Sequence, residues 1–139
     1  GEQAWAKVRM KGNELAVGVD AAMTLGSVIN ELITNASKYG GLTPDGLGVD
    51  VSWIIQVRGD DAFMKFTWLE SMPSGVEASF DRRSFGIQLI ESMIPYELDG
   101  EVSLDVVDGG VSFHATVPLE NCTIDIGRVR GRIRDEDVG

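Results

Sequence analysis

Leu25, Val28, Ile29, Leu32, Ile33 and Ala36 recur three and four positions apart, the spacing that lays an apolar stripe along one side of a helix. The stripe predicts a helix over residues 21–39, with Asp20 placed to cap its start and Gly40 and Gly41 ending it. Ahead of it, residues 4–10 read as a short strand and residues 14–19 as a second. Behind it, a Gly/Pro/Asp-rich turn over residues 40–48 leads to two strands, 49–58 and 62–68. Gly59-Asp60-Asp61 joins them, short enough for an antiparallel pair.

Residues 70–84 follow neither period and form a loop of about 15 residues, a length that in a compact domain goes with function or mobility. A second helix starts near Phe85 and runs through Leu89, Ile90, Met93 and Ile94 toward Pro95. Residues 101–107 and 111–119 then alternate around Asp108-Gly109-Gly110, the signature of a hairpin. A doubly wound sheet needs a helix between successive parallel strands. This order fits instead an α+β, two-layer sandwich: an antiparallel or mixed sheet with its helices on one face.

Length and composition narrow the class. At 139 residues and 43% hydrophobic the chain suits a single core. One cysteine, Cys122, excludes an internal disulfide framework and reads as a buried or incidental thiol. No apolar run approaches the length of a membrane span, and no secretory pattern opens the chain, so direct membrane insertion is not expected and a cytoplasmic location is. The formal charge of −10, from 22 acids against 12 bases, disfavours nucleic acid as a partner. Basic residues cluster only at the end, where Arg128, Arg130, Arg132 and Arg134 alternate before three acids. Residues 121–139 therefore read as a charged tail or an extra strand beyond a domain of residues 1–120.

Chemistry concentrates in three places. On the long helix, Glu31 and Asn35 lie one turn apart with Lys38 three further on, so all three face one site. A carboxylate and a carboxamide offer the hard oxygens that Mg²⁺ prefers, and an ammonium can neutralise phosphate. Next, Trp68-Leu69-Glu70 closes a strand, and the Glu70 carboxylate can accept a hydrogen bond from the exocyclic amine of a base. Third, in Asp81-Arg82-Arg83-Ser84-Phe85-Gly86, Ser84 can cap the following helix and Gly86 lets its first turn approach an anion. Arg82 or Arg83 can add a charge-assisted contact. Neither a P-loop nor a dinucleotide glycine fingerprint is present. The only histidine, His114, sits in the last alternating strand beside Phe113 and reads as a structural or surface residue.

Taken in order, these segments resemble the ATP-binding catalytic domain of bacterial sensor histidine kinases, the Bergerat fold shared with gyrase and Hsp90. The match is closest to the subgroup named for its His, Trp and Glu residues. Residues 30–40 resemble that group's Asn-bearing helix, Trp68-Leu69-Glu70 its Trp-x-Glu, and residues 83–91 its second glycine segment. The resemblance extends over residues 6–120.

It implies that Asn35 holds Mg²⁺ against the ATP phosphates and that Glu31 is the catalytic or metal-water carboxylate. By the same resemblance Lys38 and Tyr39 lie near the phosphates and ribose, Glu70 on the adenine side, and Ser84, Phe85 and Gly86 over the phosphate chain. The reaction implied is transfer of the γ-phosphoryl group to a histidine, for which such a domain supplies positioning and charge. The partners implied are a histidine-bearing dimerisation domain and, through it, a response regulator; without that histidine the domain is inactive alone.

Two departures stand out. Asn30 replaces the subgroup's His, and Met72 and Pro73 replace two glycines after Trp-x-Glu, adding bulk and removing a backbone donor. They leave open a degenerate domain serving as a histidine phosphotransfer or protein-interaction module. A serine kinase of the anti-sigma type is a further alternative on the same fold.

Overall fold

The computed structural model describes residues 6–124. The element order is β1 (Val8–Gly12), α1 (Val19–Tyr39), β2 (Gly48–Arg58), β3 (Asp61–Ser71), α2 (Phe85–Leu98), β4 (Glu101–Val107), β5 (Gly110–Pro118) and the single turn α3 (Leu119–Cys122). Five strands form one sheet in the order β1-β2-β3-β5-β4. β1 runs parallel to β2, with α1 as the crossover, and every other pair is antiparallel. Both long helices cover the same face, giving the expected mixed α/β sandwich, consistent with a Bergerat-type fold.

Alternation along the strands decides which face is covered. In β3, Ala62, Met64, Phe66, Trp68 and Glu70 are buried in strict register, so an acid ends a row of four apolar side chains. Phe113, Ala115 and Val117 of β5 line the same layer. Against it α1 presents Val28, Leu32 and Ala36, and α2 presents Ile87, Ile90, Ile94 and Leu98. His114 takes the alternate position on the opposite face, its ring nitrogens 3.3 Å from the Thr67 hydroxyl and 2.9 Å from that of Ser112. Among the described residues no helix is long and apolar enough to cross a membrane.

The turns follow their residues. Asp108 and Gly109 both have positive φ, 52° and 81°, as a two-residue hairpin loop whose twist matches the strands requires. Gly59 also has positive φ between β2 and β3. Four sequence expectations need correction. Asp20 does not cap α1: the helix starts two residues earlier than expected, at Val19, Gly18 holds the cap position without a side-chain bond, and Asp20 lies in the first turn, where its charge favours the helix dipole. Residues 14–19 form no strand, because only Val17 finds a partner, in a single bridge to Thr123. β1 ends at Gly12 rather than residue 10. α2 continues through Pro95 to Leu98, since Leu98 is itself a core residue at 3% exposure.

Residues 4 and 5 of the first expected strand, and the arginine run of the C-terminal segment, lie outside the described residues. Of the part that is described, Cys122 and Thr123 are buried, and Asn121 donates to the Leu98 carbonyl at 2.9 Å.

Candidate functional site

The polar side of α1 faces the start of α2 across a cleft of about 620 Å³, within the ordinary size range of ligand pockets. Glu31, Asn35, Lys38 and Tyr39 line it from α1, and Ser84 and Gly86 from the start of α2. The helical period carries Glu31, Asn35 and Lys38 to one side because the other side is committed to the core. The opposite wall depends on glycine. A side-chain carbon on Gly86 would stand 2.5 Å from Oε2 of Glu31, so the bare Cα is what lets the carboxylate lie against the first turn of α2. Ser84 caps that turn, its hydroxyl accepting from the Ile87 N–H at 3.2 Å.

Asn35 sits deepest. Its Nδ2 is buried and has no hydrogen-bond partner in the protein, which is costly unless a ligand supplies one. The two ends of a carboxamide interchange by a half-turn, so the same position can present Oδ1 to a cation. With Glu31 beside it, the donor set is two hard oxygens and a nearby ammonium. That suits Mg²⁺ carried in with phosphate oxygens and water better than a metal held by protein alone, and no cluster of three or more His, Cys, Asp or Glu able to hold a metal occurs among the described residues.

Glu70 stands behind the cleft. Both of its oxygens are engaged: Oε2 accepts from the Trp68 indole N–H at 2.8 Å and Oε1 from the Gly41 N–H at 3.0 Å. Burial pushes its carboxyl above the usual value, outweighing the two donors, which pull it down. Gly40 permits the approach, since a Cβ there would collide with Oε1. The glycines that stop α1 therefore also seat the acid of β3. Glu70 shares with Asn35, Phe80 and Ile87 a small cavity of about 10 Å³ adjoining the cleft.

Besides Glu70, three expected residues lie outside the cleft lining. Arg82 reaches away to Glu91 on α2 and to the Leu104 carbonyl on β4, Arg83 is almost fully exposed beside Asp81, and Phe85 is exposed. The cleft also includes Thr34, Ser79, Phe80, Asp81 and Ile87, which sequence reasoning did not single out. Thr34 is three positions from Glu31 and could have been found by the helical period; Ser79, Phe80 and Asp81 belong to the aperiodic loop. Of the departures, Asn30 is exposed and away from the cleft, Met72 packs against the core, and the Pro73 carbonyl accepts from Val76 in a turn with Gly75 at positive φ.

No family model matches the chain. The blue-light-activated histidine kinase of Brucella anthropi is 29% identical over 113 residues, which cover 81% of this chain and 23% of that protein. Blue-light-activated histidine kinase 1 of Erythrobacter litoralis is 30% identical over 115 residues, covering 81% of this chain and 31% of that protein. The chain is a distant homologue of these kinases. It spans between 23% and 31% of their length.

Solved structures agree in fold. The histidine kinase domain of the Erythrobacter litoralis EL346 blue-light activated histidine kinase superposes with a TM-score of 0.57 at 17% identity, over 81% of this chain and 54% of that one. The catalytic domain of histidine kinase ThkA, in a nucleotide-free form, gives a TM-score of 0.52 at 15% identity, over 83% and 80% of the two chains.

Proposed function

We propose that this chain is the ATP-binding domain of a two-component histidine kinase, supporting Mg²⁺-dependent transfer of the ATP γ-phosphoryl group to a histidine on a separate phosphoacceptor domain. The distant homology supports a general kinase and signalling role. The observation that carries the finer reading is the convergence of Glu31, Asn35, Lys38, Ser84 and Gly86 on one cleft, with the buried, unpartnered Nδ2 of Asn35 in its lining.

In this reading Asn35 and Glu31 hold Mg²⁺, which when bound neutralises charge on the transferring phosphate. Lys38 adds a positive charge beside it, with Tyr39 on the ribose side. The first turn of α2, whose N–H groups have no partner within the helix, faces the phosphate oxygens. Glu70 lies on the base side. Phosphoryl transfer asks mainly for positioning and charge stabilisation, which these groups supply without a covalent intermediate. His114 is turned away on the other face of the sheet, so the accepting histidine belongs to a dimerisation domain, which passes the group to a response regulator in the cytoplasm.

Titration calorimetry with a non-hydrolysable ATP analogue tests the reading: saturable binding that strengthens with Mg²⁺ is expected. No binding at millimolar nucleotide would overturn it in favour of an interaction module, the second reading, which the smallness of the Glu70 cavity favours. Acid lability of phosphate on a partner separates phosphohistidine from the phosphoserine of an anti-sigma-type kinase.

A further inference from the structure

Two neighbouring spaces share Asn35, Ser79, Phe80 and Ile87 as walls, yet differ greatly in size: about 620 Å³ in the cleft and about 10 Å³ beside Glu70. The smaller is roughly room for one water. A purine cannot reach Glu70 while the chain is arranged in this way.

The loop segment from Ala78 to Phe80 closes it. Ala78 is buried and its N–H donates to the Gly109 carbonyl at 2.7 Å, while the Ser79 N–H donates to the Tyr39 carbonyl at 3.3 Å. Phe80 packs against the core. Arg82 holds it from outside, with the guanidinium carbon 5.1 Å from the Phe80 ring centroid. Nη2 of Arg82 donates to the Leu104 carbonyl at 2.9 Å, and Nη1 to the Glu91 carboxylate at 3.3 and 3.4 Å. One side chain of an aperiodic loop is thereby tied to α2 and to β4. The Glu91 pair is exposed, the Leu104 bond is only partly buried, and the Arg82 side chain is about half exposed, so each tie is modest and the latch can release.

We propose that Phe80, positioned by Arg82, controls admission of the base to Glu70. In the closed arrangement the cleft takes the polyphosphate end of a magnesium–nucleotide complex, and the base is recognised only after the Phe80 ring leaves. The walls it would vacate include Leu32, Ile90, Leu104 and Val111, apolar surface that suits a flat aromatic ring of either origin. Ring and base thus compete for one site, and the Arg82 contacts bias the competition toward the ring. The inference rests on the nucleotide reading above.

The test compares the full chain with its Phe80→Ala and Arg82→Gln variants, each titrated with a non-hydrolysable ATP analogue plus Mg²⁺ and with inorganic tripolyphosphate plus Mg²⁺. If the open state is about a tenth of the population, Phe80→Ala raises nucleotide affinity about tenfold. Tripolyphosphate affinity changes by much less, so the preference for nucleotide over tripolyphosphate rises. Arg82→Gln, which keeps the ring and so guards against misfolding of the first variant, gives a smaller gain in the same direction. A wild-type chain that already prefers nucleotide to tripolyphosphate, with neither variant strengthening that preference, overturns the gate and leaves the nucleotide reading standing. Failure of both ligands on all three proteins removes the nucleotide reading itself, and the gate with it.

Discussion

The Glu31 carboxylate of α1 rests against the bare Cα of Gly86 in the first turn of α2, at a separation that leaves no room for a side chain. Replacing Gly86 by Ala must push the carboxylate aside, because the added carbon would sit 2.5 Å from Oε2. The displaced atom is the end of a flexible side chain, so the fold should survive. Expected is a fall of about tenfold or more in affinity for an ATP analogue with Mg²⁺, with an unfolding midpoint close to wild type; calorimetry and urea titration read the two separately.

Asn35 should show the opposite division between stability and function. Asn35→Ala removes a buried nitrogen that has no partner in the protein, so stability in urea should be unchanged or higher by up to about 1 kcal/mol. Magnesium-dependent nucleotide binding should be lost. A variant that is markedly destabilised would assign the amide a structural role.

Glu70 predicts a pH dependence whose sign is fixed by its environment. Its native carboxyl holds a proton to higher pH than the ordinary value of 4.5, mainly because it is buried. Protonation therefore favours the native state: the contribution is complete below 4.5 and is lost as pH rises through the native value. Urea midpoints of the wild type, measured relative to Glu70→Gln, should decline as pH rises from 4.5 through the native value and level off above it. A difference that grows with pH would show that the Trp68 and Gly41 donors dominate instead.

Gly40→Ala should destabilise the protein by about 1–3 kcal/mol, since its methyl group occupies the position of Glu70 Oε1 and drives the acid off the Gly41 N–H. Combining it with Glu70→Ala should recover part of the loss, a coupling that a double-mutant cycle measures directly.

Cys122 is 1% exposed and burial pushes its thiol up to about 11. Aromatic disulfide reagents at pH 8 should leave it unmodified in the native protein and label it fully in denaturant. Rapid labelling without denaturant would mean that the packing of α3 opens locally.

Local periodicity was enough to announce the face of α1 that carries Glu31, Asn35 and Lys38, because apolar residues at helical spacing leave the polar ones only one direction to point. It was likewise enough for the Asp108-Gly109 hairpin and the Ser84 cap, each of which depends on the backbone preferences of a few adjacent residues. Residues 14–19 misled for the converse reason: a strand exists only where a neighbour pairs with it, and Val17 alone finds one. The depth of the site came from contacts distant along the chain. Glu70 is fixed by Gly41, 29 residues away, and Arg82 by the Leu104 carbonyl, 22 residues away. No spacing rule encodes such meetings, since they depend on where two helices and a loop come to rest on a shared sheet.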